Sequence, residues 1–225
     1  MSEPWLILET SGRGGRVGLA VAGRLVQAVE LDPARRHNRD LAPAADAVLK
    51  AEGLAPKDLF GVAVSVGPGS YTGLRVGVMS AKMLAYATGC RLVAVPTFHA
   101  IAVQAPAEAQ FVDVIADALQ EHAYIQRFGK TDGVWAPVNE LRIGLVADWA
   151  ASVGPDVWVS GPGLTTYDTV VPAVAPRVAP TDRVPGLAAL LRVALAMPSL
   201  SADEILRLEP IYLRGSSAEE KARVV

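Results

Sequence analysis

The chain has 225 residues and a formal charge of −2; 51% of it is hydrophobic, 20% is charged, and it has one cysteine, Cys90. That length suits one large domain or two small ones. The charge leaves no basic stripe with which the chain alone could hold nucleic acid, and the lone cysteine excludes a disulfide framework and fits a reducing compartment. No stretch reaches transmembrane length, and the apolar run in MSEPWLILETS lacks a basic leader, so a cytoplasmic chain that meets no membrane is expected.

In chain order, Trp5 to Thr10 reads as a strand. Ser11 to Gly15 is a turn, Arg16 to Val21 pairs back, Gly23 closes a second turn, and Leu25 to Leu31 is a third strand. A helix follows, with Asn38 or Asp40 as its cap and Pro43 in its first turn. Leu41, Ala45, Val48 and Leu49 form its apolar stripe, and Gly53 follows its end. Val62 to Val66 is a buried strand, broken by Gly67-Pro68-Gly69. A helix over Thr72–Thr88 comes next, ended by Gly89. Arg91 to Val95 is a strand, and Thr97 opens a helix that runs to Gln104. The order βββαβαβα predicts an α/β mixed sheet with helices against it.

The segment Ala105 to Ala109 marks a domain boundary, giving units over 1–105 and 106–225, the last helix and tail packing back on the first. Beyond it Phe111–Ala116 and His122–Phe128 read as paired strands. Leu141–Ile143 is a further strand, Leu145–Ser152 a helix, and Val157–Ser160 a buried strand ending in a second Gly-Pro-Gly at 161–163. This repeated ending suggests a duplicated architecture. Residues 171–185 should be irregular, Leu187–Met197 helical, Pro210–Leu213 extended, and the tail from Ser216 frayed.

Between Thr72 and Thr88 the only charges are Arg75 and Lys82. Leu74, Val76, Val78, Met79, Met83 and Tyr86 spread over more than the sector one sheet could cover. Gly73, Gly77, Ala81 and Ala85, four apart, make a ridge of small residues along which a helix backbone could approach. On pattern alone two readings stand: a helix buried within its own domain, or one facing a partner subunit.

The chemistry-bearing residues are sparse. His37, His99 and His122 lie far apart with no H-x-x-x-H or C-x-x-C, so no metal site is expected. The turn GPGSYTGLR carries Leu74 and Arg75 where a phosphate-binding P-loop needs lysine and a hydroxyl; G-x-S-x-G is absent, and Cys90 reads as a small buried hydrophobe. A strand, glycine turn and helix N-terminus can still gather N–H groups around an anion. Glu9, Thr10, Ser11, Gly67 and Gly69 are therefore the candidate anion- or nucleotide-binding residues. An ATP enzyme of the two-domain mixed-sheet kind would also use Asp117 and the Gly161/Gly163 pair. Ala118-Leu119-Gln120, however, offers no glycine beside that acid.

GPGSYTGLRVG is similar to the signature G-P-G-[SF]-[FY]-T-G-[LV]-R-[IV]-G of the TsaB family, once called YeaZ. LETS, His37–Pro43, Val95-Pro96-Thr97 and Glu209–Arg214 resemble further family motifs along nearly the whole chain. The resemblance implies an actin-like (ASKHA, ribonuclease H-like) two-subdomain fold and a non-catalytic subunit without a cofactor. Its partner would be a TsaD-type catalytic subunit that modifies the adenosine next to the tRNA anticodon. A TsaE-type ATPase would join them, tRNA would be met only through the complex, and the chain alone would form a homodimer. The metal-binding histidines of TsaD would fall at Thr97 and Ile101, which cannot form that site. Glu9 for the usual aspartate, Leu119 for an arginine and Glu121 for a glycine depart from the family pattern.

The resemblance favours the partner-facing helix. Its expected contacts are Gly73, Leu74, Arg75, Gly77, Val78, Ala81 and Lys82, with Leu41 and Ala45 from the preceding helix. On that reading Gly77→Leu should abolish pairing and leave the monomer folded. The alternative is an actin-like ATP-dependent kinase or nucleotide hydrolase relying on Glu9 and Asp117.

Overall fold

A computed structural model describes residues 3–32 and 37–213. The chain divides into two compact units, 1–94 with 199–225, and 95–198.

The first unit is built on strands β1 (Trp5–Glu9), β2 (Arg16–Val21) and β3 (Arg24–Glu30), helix α1 (His37–Ala51), strand β4 (Gly61–Ser65), helix α2 (Tyr71–Thr88) and strand β5 (Arg91–Val95). The sheet order is β3-β2-β1-β4-β5, with β1 antiparallel to β2 and parallel to β4. Every residue of β1 and β4 is buried, as their unbroken apolar runs require of central strands covered on both faces. β3, at the edge, is mostly exposed. At Gly61 a Cβ would stand 2.5 Å from the Trp5 ring, so glycine there makes room for the indole.

Pro43 lies in the interior of α1, beyond its first turn, and both expected cap residues, Asn38 and Asp40, fall within the helix. An interior proline forfeits a backbone bond. Burial of Leu41, Ala45, Val48 and Leu49 in the first core offsets that loss. α2 has clean ends: the Ser70 hydroxyl accepts from Gly73 N–H at 3.2 Å, and Gly89 closes it at φ 71.

The second unit contains α3 (Thr97–Ala102), β6 (Phe111–Asp117), β7 (His122–Thr131), β8 (Val134–Pro137), β9 (Arg142–Leu145), α4 (Val146–Ala151), β10 (Val157–Ser160), α5 (Leu164–Tyr167) and α6 (Leu187–Ala196). Its sheet runs β10-β6-β7-β8, with β9 also on β7, and β10 is parallel to β6. Each Gly-Pro-Gly thus follows a strand that runs parallel to the first strand of its own unit. Residues 171–185 are irregular apart from a short 3-10 turn at Pro180–Asp182. From Ser199 the chain belongs to the first unit again, with α7 (Ala202–Arg207) opened by a Ser201/Glu204 capping box. The expected frayed tail from Ser216 lies outside the described residues.

Candidate partner-docking face

Helix α2 has two apolar faces, and the structure separates them. Gly73, Leu74, Gly77, Val78, Ala81 and Ala85 are buried. A Cβ at Gly73 would collide with the Thr10 carbonyl oxygen, and one at Gly77 with the Thr10 hydroxyl. The small-residue ridge, expected to meet a partner helix, therefore seats α2 on the end of β1 in its own unit. Leu41 and Ala45 are likewise buried in the first core. Gly73, Leu74, Gly77, Val78 and Ala81 are not a contact surface, because their own unit already covers them; Leu41 and Ala45, largely buried, leave only their edges to one wall of a groove.

Arg75 and Lys82, expected at the rim of a partner contact, are engaged by the C-terminal segment. Lys82 Nζ donates to the carbonyls of Leu206 (2.8 Å) and Leu208 (3.1 Å), capping the end of α7. Arg75 Nε donates to the Tyr212 hydroxyl at 3.1 Å, and its guanidinium lies 4.4 Å over the Tyr71 ring. Burial pushes the Tyr212 phenol up, against the opposing pull of Arg75.

The opposite face is open. Met79, Met83 and Tyr86, spaced four and three apart, form one stripe and are 54%, 67% and 88% exposed. An exposed helical stripe is ordinarily polar; two thioethers and a phenol ring are not. A groove of about 350 Å³ opens beside this stripe, between Leu41, Ala45 and Leu49 of α1 and Met83, Leu84 and Ala87 of α2. On the other flank Met83 and Tyr86 share a groove of about 560 Å³ with Ile205 and Leu206. Sequence periodicity registered all three residues, but only the fold identifies them as the unpartnered face.

The candidate anion-binding residues do come together, at the adjoining ends of β1 and β4. The polar groups of Glu9 and Ser11 are taken up by each other and by Ser65 and Ser70. The Glu9 carboxylate, 2% exposed, accepts from Ser11 N–H at 2.7 Å and from the Ser11 hydroxyl, with the Ser65 hydroxyl at 3.4 Å. Ser70 N–H donates to the Ser11 carbonyl at 2.7 Å, and Gly69 packs flush against Ser11. Gly67, at φ 112, lies against Ile211, whose N–H donates to the Val66 carbonyl at 2.7 Å. Thr10 Oγ1 is buried with no hydrogen-bond partner among the described residues.

Burial raises the Glu9 carboxyl above its ordinary range, and the Ser11 bonds only partly offset this. The folded chain then holds a proton that the unfolded chain releases. The associated stability is complete below the unfolded carboxylate value and is lost as pH rises through the raised folded value. Glu9→Gln should remove this dependence. Denaturation midpoints measured between about pH 4 and pH 8 should show the variant gaining on the parent as pH rises; parallel curves would refute the assignment.

In the second unit Asp117 accepts from Leu119 N–H at 2.7 Å and from the Tyr167 hydroxyl at 2.6 Å. Burial and this carboxylate push Tyr167 up to about 12. Leu119, Gln120 and Glu121 all have positive φ, so the hairpin tip takes a backbone favoured by glycine without having one. Gly161 packs on the backbone of Ile115 with no room for a Cβ, and Gly163 lies tight against the same residue. Asp113, 1% exposed, is held by Arg127 through two bonds of 2.6 and 2.9 Å and by the Trp149 indole N–H at 2.8 Å. Sequence reasoning missed this triad. Among the described residues no group of three or more His, Cys, Asp or Glu could hold a metal ion, and no helix is long and apolar enough to cross a membrane.

Two mixed sheets flanked by helices, each with a Gly-Pro-Gly after a parallel strand, define an actin-like two-subdomain α/β protein. The solved structure of YeaZ from Pseudomonas aeruginosa has the same fold: TM-score 0.77 and 22% identity, over 94% of this chain and 100% of that one. Residues 31–137 match the family model for TsaD, tRNA N6-adenosine threonylcarbamoyltransferase. The chain is 30% identical over 115 residues to the tRNA threonylcarbamoyladenosine biosynthesis protein TsaB of Bacillus subtilis (strain 168), a match over 51% of this chain and 50% of that one. It is 32% identical over 216 residues to an uncharacterized protein of Mycobacterium tuberculosis (strain ATCC 25618 / H37Rv), over 95% of this chain and 90% of that one. These matches relate the chain to the TsaB (YeaZ) proteins. Its match spans half the length of the Bacillus TsaB.

Proposed function

We propose that this chain is a non-catalytic subunit of the machinery that makes threonylcarbamoyladenosine next to the tRNA anticodon. It pairs with a TsaD-type transferase through the outward face of α2 and the α1–α2 groove. The observation that carries this reading is the exposed stripe Met79–Met83–Tyr86. Covering these side chains removes apolar surface from water, a favourable contribution of roughly 25 cal/mol per Å² to association. The TsaD match covers both α1 and α2. A related helix pair on the partner suits a pseudo-twofold interface in which like meets like, and without that partner the same face serves a homodimer.

The burial of Glu9 and the engagement of Asp117 by Tyr167 speak for support rather than chemistry. TsaE-type ATPase and tRNA are reached through the complex, in the cytoplasm. Threonylcarbamoyl transfer to tRNA, reconstituted with the TsaD- and TsaE-type proteins, should fall at least tenfold when this chain is omitted. Unchanged transfer would remove the proposal.

A further inference from the structure

The second unit contains a cleft of about 630 Å³ that the docking reading does not use. α3 and the residues after it supply His99, Val103 and Pro106, the β7–β8 hairpin supplies Lys130 and Trp135, and α6 supplies Arg192. Its volume falls in the range of small-molecule sites, and its walls are mainly apolar, closed at the α6 side by Val193 and Met197.

The ionisable side chains lining this cleft are Lys130, Arg192 and His99, with no carboxylate among them. Lys130 Nζ donates to the Ala107 carbonyl and lies 5.4 Å over the Trp135 ring, so it is held at the wall. His99 stacks on Phe128, and its Nε2–H donates to the Trp135 carbonyl at 2.9 Å. Burial lowers its basicity, so the ring is a neutral part of the wall. Arg192 is exposed and has no hydrogen-bond or ion-pair partner among the described residues. A guanidinium offers a planar fork of donors that fits a carboxylate, phosphate or sulfonate with two parallel bonds.

We infer that this cleft binds a small amphiphilic anion, its apolar or aromatic body against Trp135, Val103 and Met197 and its acidic headgroup on Arg192, with Lys130 adding to the field. Neither the docking face nor the strand-end loops take part, so the inference stands apart from the proposed function.

The test uses the full-length chain and two dyes of like shape, anilinonaphthalene sulfonate and the uncharged N-phenyl-1-naphthylamine. The sulfonate should bind with one-to-one stoichiometry. Arg192→Glu, a change at an exposed site, should weaken it at least tenfold while altering the neutral dye less than twofold. Ala196→Trp, which sets an indole on an exposed residue of α6 lining the cleft, should remove both dyes, and thermal unfolding should confirm that each variant is folded. Dodecanoate should displace the sulfonate, whereas dodecylamine should not. Arg192→Gln, which removes the charge without reversing it, should give an intermediate loss, and it replaces the glutamate variant in the comparison if that one does not fold. Sulfonate affinity unchanged by the substitution at Arg192, or lost equally with that of the neutral dye, would overturn the inference.

Discussion

Gly77→Leu is expected to unfold the first unit rather than leave a monomer that cannot pair. A side chain at this position points at Thr10, whose hydroxyl occupies the space a Cβ would need and whose Cβ and Cγ2 each lie 3.3 Å away. Rotation of Thr10 can relieve an alanine but not three further carbons in a packed core, and overpacking of this kind costs about 3 kcal/mol or more. Gly73 is tighter still in kind, because the obstacle there is the Thr10 backbone carbonyl, which no rotamer change moves. Gly73→Ala should therefore lose about 2 kcal/mol even though alanine favours a helix by about 1 kcal/mol. Chemical denaturation measures both changes. Stability within about 0.5 kcal/mol of the parent for either variant would mean that α2 is not seated on β1.

The second large effect belongs to Asp113. Asp113→Ala leaves the Arg127 guanidinium without its paired acceptor and the Trp149 indole N–H without a partner, on a sheet whose core residues Val112, Val114 and Ile115 are fully buried. Removing one member of a buried pair costs about 3–5 kcal/mol, because the remaining charge keeps its desolvation penalty. Arg127 is partly solvated, which places the expectation near the lower limit, about 3 kcal/mol. Asp113→Asn keeps one acceptor for Trp149 and should lose about half as much. Arg127→Met added to Asp113→Ala should restore part of the loss, since no charge is then stranded. Additive losses in the double variant would contradict this account.

Periodicity and punctuation made much of the architecture legible. The bounds of β2, β5 and β10, and the glycine that ends α2, follow from apolar runs stopped by Gly or Pro. What periodicity does not carry is the identity of the covering surface. On α2 it marked a small-residue ridge and a Met/Tyr stripe alike; that a strand end, Thr10, takes the ridge is a fact of tertiary packing. The strand Val134–Pro137 and the helix Leu164–Tyr167 are each four residues long, too short for a period to register. The helix Ala202–Arg207 was within reach, because Ser201 and Glu204 spell a capping box. The Asp113 triad was not: Arg127 and Trp149 stand 14 and 36 residues away, and only the β6–β7 register with α4 brings them together.

For the site, the sequence reading grouped Glu9, Thr10, Ser11, Gly67 and Gly69 as an anion-binding set. It could not reveal that Ser11 would consume the carboxylate of the first and the approach of the last. Lys82 and Arg75 likewise read as rim contacts for a partner, because nothing in the local sequence places α7 and Tyr212 beside them.

The outward stripe of α2 is tested most directly by calorimetric titration of this chain into the proposed TsaD-type partner, comparing the parent with Met83→Glu/Tyr86→Glu. Both positions are solvent-facing in the isolated chain, so the double variant should keep the parent's unfolding midpoint. Two carboxylates driven into an apolar contact should weaken pairing about 100-fold or more. Affinity within about twofold of the parent, from a variant that is folded, would contradict the assignment of this face to the partner.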